Sequence, residues 1–405
     1  GSEMCIRDRL IANYWHFEEE KSSSRYRSFA DLLSAKYNLE VITSTFCHLQ
    51  KAQRDISRLN FSRLPYKMTL IYEKGYSKNI GVERILSYQQ FGKNVLNYIQ
   101  KLTDVDLILV SVPSLTVADC VTRYAKEKSI PVIVDIQDLW PEAFKMAFNV
   151  PILSDILFFP MLKQANRIYR RADYILAVSD TYVRRAMVTG NNRGESIYIG
   201  TDSELVRKKI QNIEVHKDFN EFWIGYVGAL GHSYDIKSVI DALAILKKQG
   251  IENIVFKVMG DGVLKTEFEN YAKSKNVRCD FMGLLEYGLM MKTLMACDVA
   301  VNPIVKQSVS SIINKVSDYA AAKIPVINTQ TSKEYRNLLE RYNAGVNVEN
   351  GDIDAMSDAI RELYFDHKKK ELMGKNASRM FSEKFDRQVN YPRIIPIIEK
   401  LLKNA

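Results

Sequence analysis

The sequence predicts an α/β protein of two Rossmann-like, doubly wound domains facing across a cleft. Short apolar runs alternate with amphipathic helical stretches along nearly the whole chain, the pattern of βα repeats with right-handed crossovers. Several runs, such as DLILVSV from Asp106 to Val112, are apolar on both faces, as parallel strands covered by helices are. At 405 residues the chain is too long for one compact core and fits two domains of about 200 residues.

In chain order, Leu10 to Ala12 ends a first strand. The residues before it, Met4 to Arg9, with three charges at Arg7-Asp8-Arg9, fit a buried strand so poorly that foreign or misread sequence is the expectation there. A helix is expected over 26–36, opened by Ser22-Ser23-Ser24-Arg25, and a strand over 39–43. Residues 50–79 are basic and aromatic with little periodicity and are expected as a long loop or small insertion over an acceptor. A helix over 84–99, the 106–112 strand, a helix over 117–128 and a strand over 131–135 follow. Residues 160–171 read as an amphipathic helix with Lys163, Arg167 and Arg170 on one face and Leu162, Ala165 and Ile168 on another, a pattern that fits an ordinary domain helix with a solvated basic face better than one lying on an anionic membrane surface. The charged stretch 202–220 is expected to be the interdomain linker. Alternation restarts at Phe222, and Pro392 and Pro396 interrupt a helical tail. The expected domains are 1–205, 206–385 and a tail, 386–405, packing back on the first.

Composition narrows the class. Apolar residues make up 46% and charged residues 26%, so both halves can form soluble cores. No apolar run reaches the 18 or so residues that a membrane helix needs, and no secretory leader is expected. Five cysteines without a CxxC pair and five scattered histidines point to reduced thiols, a cytoplasmic setting and no metal site. The two DxD tripeptides, Asp104 to Asp106 and Asp352 to Asp354, read as element boundaries rather than as a metal site. A net charge of +9 favours an acidic partner, and the absence of nucleic-acid motifs argues for a phosphorylated substrate or a membrane face.

The segment 308–329, SVSSIINKVSDYAAAKIPVINT, is the most informative. Ser310 or Ser311 is expected to cap a helix whose first turns carry Asn314, Lys315 and Asp318, an arrangement that favours a phosphate. Asp318 would accept hydrogen bonds from vicinal sugar hydroxyls. The loop Gly228 to Ser233, including Gly231, His232 and Ser233, and the loop at Gly260 follow strands where backbone amides can approach a diphosphate. In DLWPE, Asp138 and Glu142 are candidate acceptors for sugar hydroxyls and Trp140 a stacking face, while Arg25 is a candidate second phosphate contact.

The order of DLWPE, SDTYVRR, GALGHS, VMGDG, FMGLL, ACDVAVNP and NKVSDYAAAKIPVI resembles family 4 glycosyltransferases of the GT-B fold, particularly those of bacterial surface polysaccharide synthesis, such as capsule and O-antigen. The resemblance implies a retaining, metal-independent hexosyltransferase that needs no cofactor. Its donor, expected to be a UDP-sugar, would bind in the second domain, and a polyprenyl-linked or oligosaccharide acceptor in the first. It assigns Asp318 to the nucleotide ribose, Lys315 to the diphosphate and Gly231 to the phosphate-facing loop. Lys315 and Asp138 are the catalytic candidates; Arg25, Trp140 and Glu142 are the acceptor-side ones. The expected location is the cytoplasm, peripheral at the inner membrane face. Three departures stand out: Ser310 replaces the first carboxylate of an acidic pair, Ala229 and Tyr234 replace basic residues of the phosphate loop, and Lys323 replaces a glycine. Two other readings share the architecture, a nucleotide-sugar 2-epimerase and a noncatalytic nucleotide-sugar-binding partner.

Overall fold

The computed structural model describes residues 7–17, 25–78, 81–142, 151–191, 193–306 and 312–404, with the side chains of 151–155 outside that set. Two compact units divide it: Gly1–Ile197 with Tyr391–Ala405, and Tyr198–Asn390.

The strands of the first unit are β1 (Arg7–Ile11), β2 (Asn38–Ser44), the short antiparallel pair β3 (Phe46–Cys47) and β4 (Ala52–Gln53), then β5 (Lys67–Ile71), β6 (Leu107–Val112), β7 (Val132–Ile136), β8 (Tyr174–Ala177) and β9 (Gly194–Ser196). The main sheet runs β5-β2-β1-β6-β7-β8-β9 and every pair is parallel. The second unit has β10 (Phe222–Val227), β11 (Ile254–Met259), β12 (Cys279–Gly283), β13 (Val299–Asn302), β14 (Val326–Asn328) and β15 (Gly345–Asn347), in the order β12-β11-β10-β13-β14-β15, again parallel. Both are Rossmann-like. Chain direction across each sheet reverses beside its first strand, and that is where a doubly wound sheet opens a crevice at its carboxyl edge.

Alternation along the strands gives each sheet two apolar faces. In the first unit Ile11, Ile42, Val110 and Val134 meet the helices Val82–Ile99, Leu115–Glu127 and Pro151–Arg171. Leu10, Val41, Leu109 and Ile133 face the Arg25–Ser34 helix and the tail helix Ile394–Lys403. That tail helix buries Ile394, Ile397, Ile398 and Leu401 in the first unit, and Tyr391 packs its ring 4.6 Å from Phe29.

Several elements differ from the sequence expectation. The 50–79 stretch contains β5, a true sheet strand; its residues are only half-buried, which is why its apolar pattern is weak. The helix expected from Pro160 begins at Pro151 and carries Pro160 inside. Its Ala165 and Ile168 are wholly buried in the unit's own core, so they are not a membrane face. The expected linker contains a helix, Ser203–Ile210, capped by Asp202 and packed so closely on Gly288 that a Cβ there would lie 2.5 Å from the Lys209 carbonyl. The helices Lys333–Tyr342 and His367–Met380 belong to the second unit as well. Asp352 caps the Ile353–Phe365 helix, while Asp104 and Asp106 hold Arg7, so both DxD tripeptides have structural work.

The charged start of the chain is the clearest correction. Arg7, Asp8 and Arg9 lie within β1, between β2 and β6, which counts against foreign sequence at these positions, while Met4 to Ile6, the rest of that expectation, lie outside the described residues. Arg9 is neutralised by Glu40, Nε to Oε2 3.0 Å. Asp8 is 2% exposed, and among the described residues neither of its oxygens has a hydrogen-bond partner. Burial, with Asp106 nearby and partly offset by Arg9, pushes its carboxyl up to about 7.

Two predictions follow from this core. Because the folded-state value of Asp8 lies above the unfolded one, its stabilising contribution is complete below about pH 4 and is lost as pH rises through about 7, a loss of up to roughly 4 kcal/mol. Asp8→Val should therefore raise the Tm at pH 8 and flatten the pH 4–8 stability profile; an unchanged profile refutes the assignment. Ile398→Ala should cost roughly 2–5 kcal/mol of first-unit stability by cavity formation, read from denaturant unfolding of the full chain.

Candidate functional site

The carboxyl edge of the second sheet is shaped by backbone contacts that only glycine permits. Gly228, after β10, donates its N–H to the Met259 carbonyl at 3.0 Å, Leu230 N donates to Asp261 O in the next loop at 2.8 Å, and Leu264 N donates back to Leu230 O at 3.0 Å. A Cβ on Gly260 would stand 1.8 Å from the Gly228 carbonyl oxygen, and one on Gly262 2.3 Å from that of Leu230. Gly228 itself has φ 146°, and a Cβ there would sit 2.1 Å from Lys315 Nζ. The two loops therefore stack backbone on backbone, and Lys315 lies directly on the first of them. Around Gly231 the equivalent space is open, and His232 and Ser233 are exposed beside it.

Lys315 is the first residue of a short helix, Lys315–Ala321. The expected cap at Ser310 or Ser311 is not how this helix begins: Asn314 stands at its N-cap without a side-chain capping bond, and Ser310 and Ser311 lie outside the described residues. Lys315 Nζ sits 3.8 Å above the ring centroid of Tyr234 and 4.6 Å from that of Tyr226, and donates to the Tyr226 hydroxyl at 3.3 Å. That hydroxyl in turn donates to the Ala229 carbonyl at 2.7 Å. Among the described residues Lys315 has no ion-pair partner, and burial pulls its ammonium down to about 7. A desolvated cation pressed on an open glycine loop is an anion site in electrostatic terms.

Asp318, one turn on, is half-buried, and its Oδ1 already accepts from Thr201 Oγ1 at 2.7 Å and Tyr287 OH at 3.1 Å. Burial raises its carboxyl, countered by those two hydrogen bonds and by Arg387. Asn314 is exposed instead, so the two do not form the shared polar face expected from their spacing. Oδ2 is the oxygen left for a hydroxyl pair.

The first-unit candidates are more committed to structure. Arg25 is 3% exposed; its Nε and Nη2 bind Asp135 at 3.0 Å each, and Cζ lies 4.6 Å over Phe29. It is a buried strut, not the open phosphate contact the sequence suggested, because the residues that engage it are distant in sequence. Trp140 is 8% exposed, with Arg84 Cζ 4.6 Å over one face and the Tyr88 ring stacked at 6.0 Å, so its expected role as a sugar-stacking face is not available as drawn. Glu142 pairs with Arg185. Asp138 remains partly accessible at the end of β7; Trp140 Nε1 donates to its Oδ2 at 3.3 Å, and burial raises its carboxyl. The structure thus brings Gly260 and Lys315 together at Gly228 in the second unit, with Gly231, His232 and Ser233 further along the same loop, and places Asp138, Trp140 and Glu142 around one turn in the first.

Sequence reasoning missed Tyr226 and Tyr287 and treated Tyr234 only as a lost basic residue. A tyrosine at each end of the Gly228–Ser233 loop was visible, but nothing local says that both rings meet Lys315.

Comparison with solved structures shows the same fold. The chain superimposes on Anabaena Alr3699/HepE in complex with UDP at TM-score 0.67, 16% identity, covering 98% of this chain and 100% of that one. Sucrose-phosphate synthase (tll1590) from Thermosynechococcus elongatus gives TM-score 0.68 at 15% identity, covering 99% and 100%. The N-terminal domain of Candida albicans trehalose-6-phosphate phosphatase gives 0.70 at 11%, covering 99% and 98%. At these identities the likeness establishes the two-unit GT-B architecture alone. No curated protein matches the chain. Within the second unit, residues 207–380, which include the glycine loops, Lys315 and Asp318, match the family model of glycosyl transferases group 1.

Proposed function

We propose that this protein is a retaining glycosyltransferase that moves a hexose or N-acetylhexosamine from a UDP-sugar to a lipid-linked or glycan acceptor, in the manner of family 4 enzymes of bacterial surface polysaccharide synthesis. The observation that carries the reading is Lys315, a desolvated ammonium with no carboxylate partner among the described residues, lying against a glycine loop within the segment that matches glycosyl transferases group 1. UDP or UDP-glucose is bound in structures of Alr3699/HepE, which supports UDP as the nucleotide. As the bond between the anomeric carbon and the phosphate oxygen breaks, negative charge builds on the departing diphosphate, and a fixed cation with backbone amides around it lowers that barrier. Asp318 Oδ2 is assigned to the ribose hydroxyls, and Asp138 to the acceptor side. The leaving phosphate takes the acceptor proton, and no metal ion or cofactor enters the reading.

An anionic membrane face is the proposed location of the acceptor. Ile156, Leu157 and Phe159 are 69%, 64% and 49% exposed at the start of the Pro151–Arg171 helix, with Lys163 Nζ over the Phe159 ring. Val82, Ile85 and Leu86 are likewise exposed at the start of the Val82–Ile99 helix, and both helices flank Leu115–Glu127. Apolar side chains at helix starts with a lysine beside them suit shallow insertion into a bilayer interface. Among the described residues no helix is long and apolar enough to cross a membrane.

Lys315→Ala and Asp318→Ala should each lower turnover with a UDP-sugar at least roughly tenfold while the Tm of the unliganded protein changes little, the scale of losing one transition-state contact. Unchanged turnover in both removes the site. Co-sedimentation with vesicles containing phosphatidylglycerol should exceed that with neutral vesicles and fall in Ile156→Ser/Leu157→Ser/Lys163→Glu; equal binding by the variant dismisses this membrane face.

A further inference from the structure

The residues that surround Lys315 differ from a conventional cation site, because two aromatic faces stand where a counter-ion would. We propose that Tyr226 and Tyr234 are positioning residues that hold the Lys315 ammonium by their rings in place of a carboxylate, keeping its charge available to the diphosphate of the donor. This rests on the reading of Lys315 as the diphosphate contact.

The geometry is specific. Tyr226 is the fifth residue of β10 and is fully buried, and its hydroxyl is fixed by donating to Ala229 O, leaving its lone pairs to accept from Lys315 Nζ. Tyr234 enters from the other end of the same loop, which is pinned by Tyr234 N to Gly231 O at 3.1 Å and by a bridge to Ile304. The two rings meet edge to face at 5.8 Å. The titratable groups near this point are Tyr226 from β10, Tyr234 from the far end of the loop, Asp318 and Tyr319 from the lysine's own helix, and Tyr287 from the Tyr287–Ala296 helix. The Asp318 carboxylate turns to Thr201 and Tyr287, and the Tyr319 hydroxyl lies by the backbone of Val227.

The physical consequence separates this arrangement from an ion pair. A carboxylate beside Lys315 would neutralise it, and an incoming diphosphate would have to compete. A ring face stabilises the cation through its quadrupole without cancelling its charge. The tyrosines therefore do two things that a basic residue at position 234 would not: they set the height of the ammonium above Gly228, and they favour its protonated form in a site that burial disfavours.

The test uses the full chain and UDP. For the unchanged protein, UDP affinity should weaken as pH rises through about 7, approaching tenfold per unit above it, since the unliganded lysine deprotonates there. Tyr234→Phe keeps the face and should bind UDP within about twofold of the parent with the same pH midpoint. Tyr234→Leu removes the face and should weaken binding roughly 2- to 30-fold and move the midpoint to lower pH. Tyr234→Glu should move the midpoint upward yet bind UDP more than about tenfold more weakly, because the charge is then neutralised. UDP binding by the parent together with unchanged affinity and midpoint in Tyr234→Leu and Tyr234→Glu overturns the proposal. Should Tyr234→Leu not fold, the contrast between Phe and Glu decides it alone. Failure of the parent itself to bind UDP overturns the underlying reading instead.

Discussion

The close approach of two glycine loops is the constraint on which the second unit depends. Gly260 can lie against the Gly228 carbonyl, and Lys315 against Gly228, only because neither glycine carries a Cβ. A side chain at either point would separate β10 from the turn after β11 or lift the ammonium off the loop. Strand ends elsewhere could absorb such a shift by moving outward. Here the parallel register of β10 with both β11 and β13 holds the loop from two sides. The carboxyl edge is tied further by a row of amides, with Asn302 Nδ2 donating to Asn328 Oδ1 at 2.8 Å and Asn328 Nδ2 to Asn347 Oδ1 at 3.0 Å. These bonds cross-link β13, β14 and β15 just where the connecting loops leave the sheet.

The first unit solves a different problem, that of charge inside a parallel sheet. Arg25 and Asp135 form a bidentate pair at 1% and 0% side-chain exposure, and Arg25 Nη1 also donates to the Ile197 carbonyl at 2.5 Å. Replacing such a pair with apolar residues is often neutral or stabilising, but breaking one partner is not, so the pair specifies one arrangement more than it adds stability. It joins the Arg25–Ser34 helix, β7 and the chain after β9, while Phe29 and Tyr391 bring the tail to the same point. Asp8 has no such partner. Burial without a hydrogen-bonded counter-charge leaves Asp8 in the opposite situation to Asp135.

The polar groups at the candidate site are arranged with the same economy. Thr201 and Tyr287 both donate to one oxygen of Asp318, which fixes the carboxylate and leaves its second oxygen unclaimed by them. Lys315 is held by rings, Asp318 by hydroxyls, and the two sit on one turn without pairing with each other. Opposite charges three residues apart on a helix would ordinarily attract. Their separate partners keep both available, which fits a site meant for a ligand carrying both anionic and hydroxyl groups.

Fold class was legible in the sequence because burial on both sides of a parallel strand leaves a run of apolar residues that no tertiary information is needed to see, and glycine loops after β10 and β11 announce themselves as turns. Lys315 and Asp318 stood out for their place in a polar cluster just before an apolar strand. Strand β5, half-buried, escaped because its pattern is diluted, and the helix at Ser203 escaped because its partner surface, at Gly288, is remote in sequence. The fate of Arg25 and Trp140 was equally hidden: a charged or aromatic residue near a strand end reads the same whether it faces a ligand or is enclosed by Asp135, Phe29, Arg84 and Tyr88. Local periodicity thus determined which segments become strands and helices, while only three-dimensional packing decided which polar groups are spent on one another and which, like Lys315, are left with aromatic faces and no opposite charge among the described residues, because partners far apart along the chain set that balance.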